Sequence, residues 1–489
     1  MNKSPMEIKE QHLPYSYSEL SSQLINKRYF SLLEDIRLTE DSYFYLVYKS
    51  DEPINIEIDD LKNSLPSSNK VVTYYHYLDK SVTFNAFEIS SQGISGNSVL
   101  LECGIVPFDS QMKGYDLSHS VFFKNNIIRL YYSLSDSSSA FSLTFTSEEN
   151  ALDENLQILI NDSSQYSIKT RTGLNQYWFY NNEFESTMTQ NVEIVSENAR
   201  FVGFNTDIVI HESEAIPSDL EDFINWNRAS WRQSEYELFR WDLFPGMLLI
   251  DTENYRVQSA FFKRMAFFTE KKNTVGEFLT EGELKQLHGW NAHDYRALDL
   301  ARFFNRAFEE DFPLNDHEIL LMNMLIDNGV LEKSDNRVRP LKGGILSISR
   351  ESDERLRWLF LTHECYHGLF FSSHEYVEKI YDLWERLSEV ERDFWRTFLD
   401  MYGYDVSDEY LLINEFQAYL MQQPVHLADS YFRSKISWIL SLKPYLQNTM
   451  NNLLSEYGDT FSRSAEAVEN VAFSIAGIRA GDLVLKRKK

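Results

Sequence analysis

The spacing of hydrophobic positions divides the chain into regions of different texture. Residues 1 to about 40 are polar with a weak helical pattern, which predicts a cap on the domain that follows. From Tyr43 onward come short β-branched and aromatic runs, among them YFYLVY, VVTYYHYL, SVTFNAFEI, SVLLECGIV, IIRLYYSL, AFSLTFT and LQILI, broken by Ser, Asn, Asp and Gly. Several alternate in polarity, as a half-buried strand does, and Asn125-Asn126 between VFFK and IIRLYY has the composition of a tight turn. This texture predicts an N-terminal antiparallel β-rich, sandwich-like domain over residues 1–212.

Near Ile216-Pro217-Ser218 the period changes, and DLEDFINWNRASWRQSEYELFRW holds apolar residues at helical spacing. Phe244-Pro245-Gly246 then punctuates the chain before Met247-Leu248-Leu249-Ile250-Asp251, a buried strand by composition. Helices are predicted through about residue 332. The cluster from Gly289 to Tyr295 reads as a capped turn with Asn291 or Asp294 at a helix start, or as part of a substrate cleft. Ile345 to Ser349 forms a short strand to which an extended peptide could add by main-chain hydrogen bonds. A helix over 353–371 follows, with Ser352 as its cap, then helices at 375–387, 389–402 and 408–422, with Ser388 and Ser407 capping the last two. The fold class is therefore multidomain α+β, with a mainly helical second domain and a small sheet over residues 213–489.

The helix at 353–371 contains His363-Glu364-Cys365-Tyr366-His367, an H-E-x-x-H. Residues four apart on a helix stand almost above one another, so both imidazoles leave one face at a spacing that chelates a single zinc ion. Leu356, Phe360, His363, His367 and Phe370 or Phe371 continue one stripe, so the histidines face inward. Glu364 sits beside the metal, where it can take a proton from attacking water and return it to a leaving group. Two core histidines bonded to carbonyls are the alternative. Cys365 points away from the metal face and is read as packing.

A catalytic zinc site takes three protein ligands and leaves one position open. His374 does not fit the extended H-E-x-x-H-x-x-G-x-x-H pattern, because Phe370 and Ser373 occupy the glycine and final histidine places. Glu415, in INEFQAY, lies 48 positions after His367 on a separate helix, and small Ala418 one turn on permits close approach. Glu375, Glu378, Asp382 and Glu385 remain open as alternatives. HECYH followed by NEFQAY resembles the gluzincin branch of the zincin metallopeptidases over about residues 340–425. That resemblance implies His363, His367 and Glu415 as zinc ligands and Glu364 as general base. Tyr410 is taken as the oxyanion donor, with Tyr404, Tyr419 and His293 as alternatives, and Asn414 or Asp382 as partner of a ligand histidine.

Composition narrows the class. The chain has 47 basic and 74 acidic residues, a net charge of −27 that repels phosphate backbones and anionic membranes, so neither nucleic acid nor membrane is expected as a partner. Lys486-Arg487-Lys488-Lys489 is the basic exception and reads as a solvated tail. The first residues lack the apolar core of a signal peptide, and the two cysteines are far apart, so a reducing cytoplasmic location is expected. His76, His119 and His211 are isolated and read as structural. The resulting expectation is a zinc-dependent metallopeptidase acting on peptide or protein, set against a binding or scaffold protein whose β domain does the recognition.

Overall fold

A computed structural model describes residues 6–7, 13–15, 28–38, 42–50, 54–58, 61–65, 68–79, 81, 83–91, 99–107, 111–113, 119–124, 127–133, 139–181, 189–196, 198–287, 291–334 and 337–489. The chain forms two compact units, residues 1–209 with 486–489, and residues 210–485.

The first unit is β-rich. One seven-stranded sheet runs in the order Gly173–Tyr180, Ala140–Ser147, Ala199–Ile208, Ser68–Leu78, Ser42–Ser50, Val99–Pro107, Leu13–Tyr15. Another runs Gln111–Lys113, His119–Lys124, Ile127–Ser133, Thr189–Ser196, Leu156–Ile160, Ser164–Ile168, Lys486–Lys488, and a five-stranded sheet accompanies them. Pairing is antiparallel apart from Met6–Glu7 against Arg28–Arg37. Alternating burial along Leu156–Ile160 marks an amphipathic strand, and Tyr166 of one large sheet meets Phe179 of the other at 5.1 Å, as in a sandwich.

Several expectations are corrected here. Residues 28–37, expected in a polar cap, are strand. The basic end is not a solvated tail: Lys486–Lys488 pairs with Ser164–Ile168, and Lys486 is 1% exposed with its ammonium near the Phe179 ring. The Asn125-Asn126 turn lies outside the described residues, although Lys124 and Ile127 on either side are antiparallel partners.

In the second unit a five-stranded sheet runs Ile216–Ser218, Tyr236–Trp241, Met247–Thr252, Gly344–Ser349, His293–Arg296. The helix expected across residues 219–241 spans only Leu220–Asn225, and Tyr236–Trp241 is strand; its apolar positions repeat every two residues as well as at helical spacing. Leu248, Ile250 and Ile345 join a core with Phe261, Phe262, Leu300 and Phe304 from helices Tyr255–Thr269 and Ala297–Glu309. On the opposite face Trp241 and Leu346 lie nearest Gly368 of the helix Glu354–Ser372. Helices His374–Arg386, Glu389–Met401, Glu409–Met421, Val425–Leu442, Gln447–Glu456 and Thr460–Ala476 complete a mainly helical unit.

The strand Gly344–Ser349, expected to receive a peptide, is an inner strand, parallel to Met247–Thr252 and antiparallel to His293–Arg296. All its residues are buried, so its backbone edges are already paired. His293–Arg296 forms the free edge on this side of the sheet among the described residues.

Candidate metal centre

The motif helix Glu354–Ser372 starts at Asp353, whose carboxylate accepts from the Leu356 amide, so Ser352 is not its cap. Arg357 in its first turns donates to Asp251 at 2.8 and 3.1 Å, and Arg350 holds the same buried carboxylate. A Cβ at Gly368 would stand 3.2 Å from the Trp241 ring and 3.3 Å from Leu346, so the glycine lets the helix lie close on the sheet. The helix Glu409–Met421 starts at Asp408, while Ser407 turns its hydroxyl to Asp405. Gln417 ties the two helices together: its amide donates to the Tyr366 carbonyl at 3.2 Å, and its oxygen accepts from the Tyr376 hydroxyl at 3.0 Å. Ala418 is fully buried, as close packing requires.

These supports bring three ligand side chains together. His363 Nε2 and His367 Nε2 are 3.2 Å apart, Glu415 Oε2 is 3.5 Å from His363 Nε2, and Glu415 Oε1 is 3.8 Å from His367 Nε2. Donors at about 2.0–2.1 Å from a tetrahedral ion stand roughly 3.3 Å from one another, so separations of this size suit a metal cage. The side chains are 12%, 0% and 2% exposed for His363, His367 and Glu415. Outside the histidines, Glu415 Oε2 has no hydrogen-bond donor despite its burial. A cation fits this donor set: converging lone pairs and an orphaned carboxylate oxygen are costly unless one occupies the middle.

The electrostatics agree. Burial pushes the Glu415 carboxyl up, but His367 and His363 outweigh it and hold it below its usual value. Burial also pushes His367 down against the pull of Glu415, which favours the neutral ring a metal needs. Glu364 is held well above the carboxylate range by burial and by neighbouring Asp294, Glu415 and Glu270. Asp294 is pushed up to about 7 by burial and by Glu415, and Glu270 to about 8 by burial, opposed by Lys271 at 3.5 Å.

His374 is 86% exposed and bonded to Glu378, and Glu375, Asp382 and Glu385 also face solvent, so Glu415 joins the histidines and these residues do not. The Tyr410 ring packs on Phe370 and lies beneath the Arg296 guanidinium at 4.0 Å. It lines a cavity of about 120 Å³ with Asp294, Glu270, Arg296, Phe371 and Asn414. The Tyr419 ring stands edge-on to His363 at 4.6 Å, and Tyr404 is buried under Lys271. His293 bonds the Tyr295 hydroxyl and stacks on Phe262, which makes it core. The Asn414 side chain reaches His367, while Asp382 is exposed. Burial pushes the Cys365 thiol up and leaves it inert. His76 is buried against Tyr74 and His211 is exposed.

Sequence reasoning placed Asp294 at a helix start or in a substrate cleft and missed its place beside Glu364 and His367. It does not cap a helix; the helix starts at Ala297 and Asp294 lies on the edge strand. Residues 289 and 290 of that cluster lie outside the described residues. Asp294, Glu364 and His367 form a second group with ligand atoms within 4.8 Å of one another. The Glu270–Lys271 pair at a helix end carried no motif that could have marked it.

No protein-family model and no curated protein matches the chain. Among solved structures, a turret protein of Sulfolobus turreted icosahedral virus is similar at 12% identity, covering 41% of this chain and 96% of that one, with a TM-score of 0.13. A cupin 2 conserved barrel domain protein from Leptotrichia buccalis matches at 10% identity over 39% and 99% of the two chains, TM-score 0.13. An anti-sigma factor domain-containing protein matches at 9% identity over 37% and 78%, TM-score 0.11. Likenesses of this size carry no argument about function.

Proposed function

We propose that this chain is a zinc-dependent metallopeptidase, gluzincin-like in its ligands, with His363, His367 and Glu415 holding the metal. The observation that carries the reading is the convergence of these three donors with Glu364 beside them, on the two helices the motifs marked. Two imidazoles and a carboxylate are the donor set of catalytic zinc. When bound there, zinc supplies Lewis acidity that activates water and polarises a scissile carbonyl.

The chain's own groups do the rest. Glu364 has a buried Oε2 with no hydrogen-bond partner; in the ionised form that a bound cation beside it would favour, it takes the proton from attacking water at that atom and later returns it to the departing amine. Tyr410, held protonated by burial, donates to the developing oxyanion from the wall of the cavity. The edge strand His293–Arg296 offers main-chain groups to an extended peptide, the mode of binding that tolerates many sequences. We place the reaction in the cytoplasm, in keeping with a sequence of only two, widely separated cysteines and no disulfide framework. No helix among the described residues is long and apolar enough to cross a membrane.

Zinc content and cleavage of a mixed peptide library by wild type and Glu364→Gln test the reading. Zinc bound by both proteins, with cleavage by wild type alone, is the expected result. Zinc bound without Glu364-dependent cleavage overturns the peptidase and favours a scaffold.

A further inference from the structure

We propose that Asp294, on the edge strand His293–Arg296, is a positioning residue that holds both the ligand His367 and the base Glu364 in place. The inference rests on the reading of His367 as a metal ligand.

Asp294 Oδ2 stands 3.8 Å from His367 Nδ1, the ring nitrogen turned away from the other two ligands. That nitrogen is buried and has no partner within hydrogen-bond geometry, although the Asn414 side chain also approaches the ring. If Nε2 is to offer its lone pair to a cation, Nδ1 must carry the ring's proton and needs an acceptor. Asp294 is the carboxylate on that side. A carboxylate oxygen of Asp294 also lies within 4.8 Å of one of Glu364, so one side chain stands beside both the metal ligand and the base.

The strand can aim Asp294 with little play. Asp294 pairs with Leu346 and Tyr295 with Ile345 in antiparallel register. His293 and Tyr295, on the opposite face, are buried around Phe262. Alternation along the strand therefore turns Asp294 to the face of the sheet that carries the motif helix. The two strands also approach closely, for a Cβ at Gly344 would fall 2.1 Å from the Tyr295 carbonyl oxygen.

The test is zinc affinity, measured by chelator competition on the full chain for wild type, Asp294→Ala and Asp294→Asn, with melting temperatures of the metal-free proteins and visible spectra of their cobalt forms. Asp294→Ala is expected to bind zinc about 10- to 100-fold more weakly with an altered cobalt spectrum. Asp294→Asn, which keeps an acceptor for Nδ1–H, is expected to recover most of the affinity. The metal-free melting temperatures are expected to match. Affinity of Asp294→Ala within about twofold of wild type overturns the proposal. Equal losses in both variants, accompanied by lower metal-free stability, overturn it too, because they show only damage to the fold. A wild type that binds no zinc overturns this inference and the peptidase together. A wild type that binds zinc and cleaves nothing, with Asp294→Ala weakened, sustains Asp294 and overturns the peptidase alone.

Discussion

Asp251 is fully buried and sits between the guanidinium groups of Arg350 and Arg357, so the sheet grips the motif helix through a desolvated charge network. Removing one partner of such a network costs more than the network is worth, because the remaining charge stays buried without compensation. Asp251→Ala is expected to lower stability by about 3–5 kcal/mol, read from the denaturant midpoint. At Glu364 the expectation concerns rate. Glu364→Gln keeps size and zinc but cannot accept a proton, so kcat is expected to fall by about 10²- to 10⁴-fold, measured on whichever peptide the library yields. The residues behind these two expectations differ in how visible they were in the sequence. Glu364 announces itself because its partners are one helical turn away, whereas Asp251, Asp294 and the arginines meet only through pairings between distant segments. No local pattern encodes those.

The helices Glu354–Ser372 and Glu409–Met421 must approach closely for Glu415 to reach the histidines. Gly368 permits the contact with the sheet and Gln417 the contact between helices. Gly368→Val should push the motif helix off Trp241 and Leu346 at a cost of about 1–3 kcal/mol, and zinc affinity should fall with the melting temperature. Gln417→Leu leaves the Tyr376 hydroxyl without its acceptor in a buried place, for a loss of about 1–3 kcal/mol by chemical denaturation. The ligand helix was legible from the cap signal at Ser407, although Asp408 and not Ser407 caps it. Elsewhere two periods competed. YELFRW satisfies both helical and alternating spacing, and pairing with Met247–Thr252 decided for strand. The run GILSIS had the near-continuous apolar character of a strand buried on both faces, a signal that it is interior and that the sheet's edge lies elsewhere. The edge strand itself is short and polar, and carries no strand signal of its own.

For the molecule as a whole, proton binding and metal binding act on the same folding equilibrium. Burial pushes His293 down to about 3 and His76 to about 4, each below the ordinary imidazole value of about 6.5. Between those values the unfolded chain holds protons that the folded chain refuses, so acid favours unfolding. The stability these rings allow is complete above about pH 6.5 and is lost as pH falls towards 4 and then 3. His293 lies in the second unit and His76 in the first, so His293→Phe should flatten the acid loss of the second unit alone. Limited proteolysis across the pH series, with cleavage sites mapped to each unit, would read them separately. Zinc adds to stability at the high end of the same range, because its ligands must be deprotonated to bind. Free zinc at about 1,000 times its dissociation constant should stabilise the protein by about 4 kcal/mol, and a chelator should remove that gain near pH 7.5. As pH falls, protons compete with the metal for its ligands, so the difference in melting temperature between zinc-loaded and chelator-treated protein should shrink. A chelator with no effect on melting at pH 7.5 would remove the metal from His363, His367 and Glu415, and the peptidase with it.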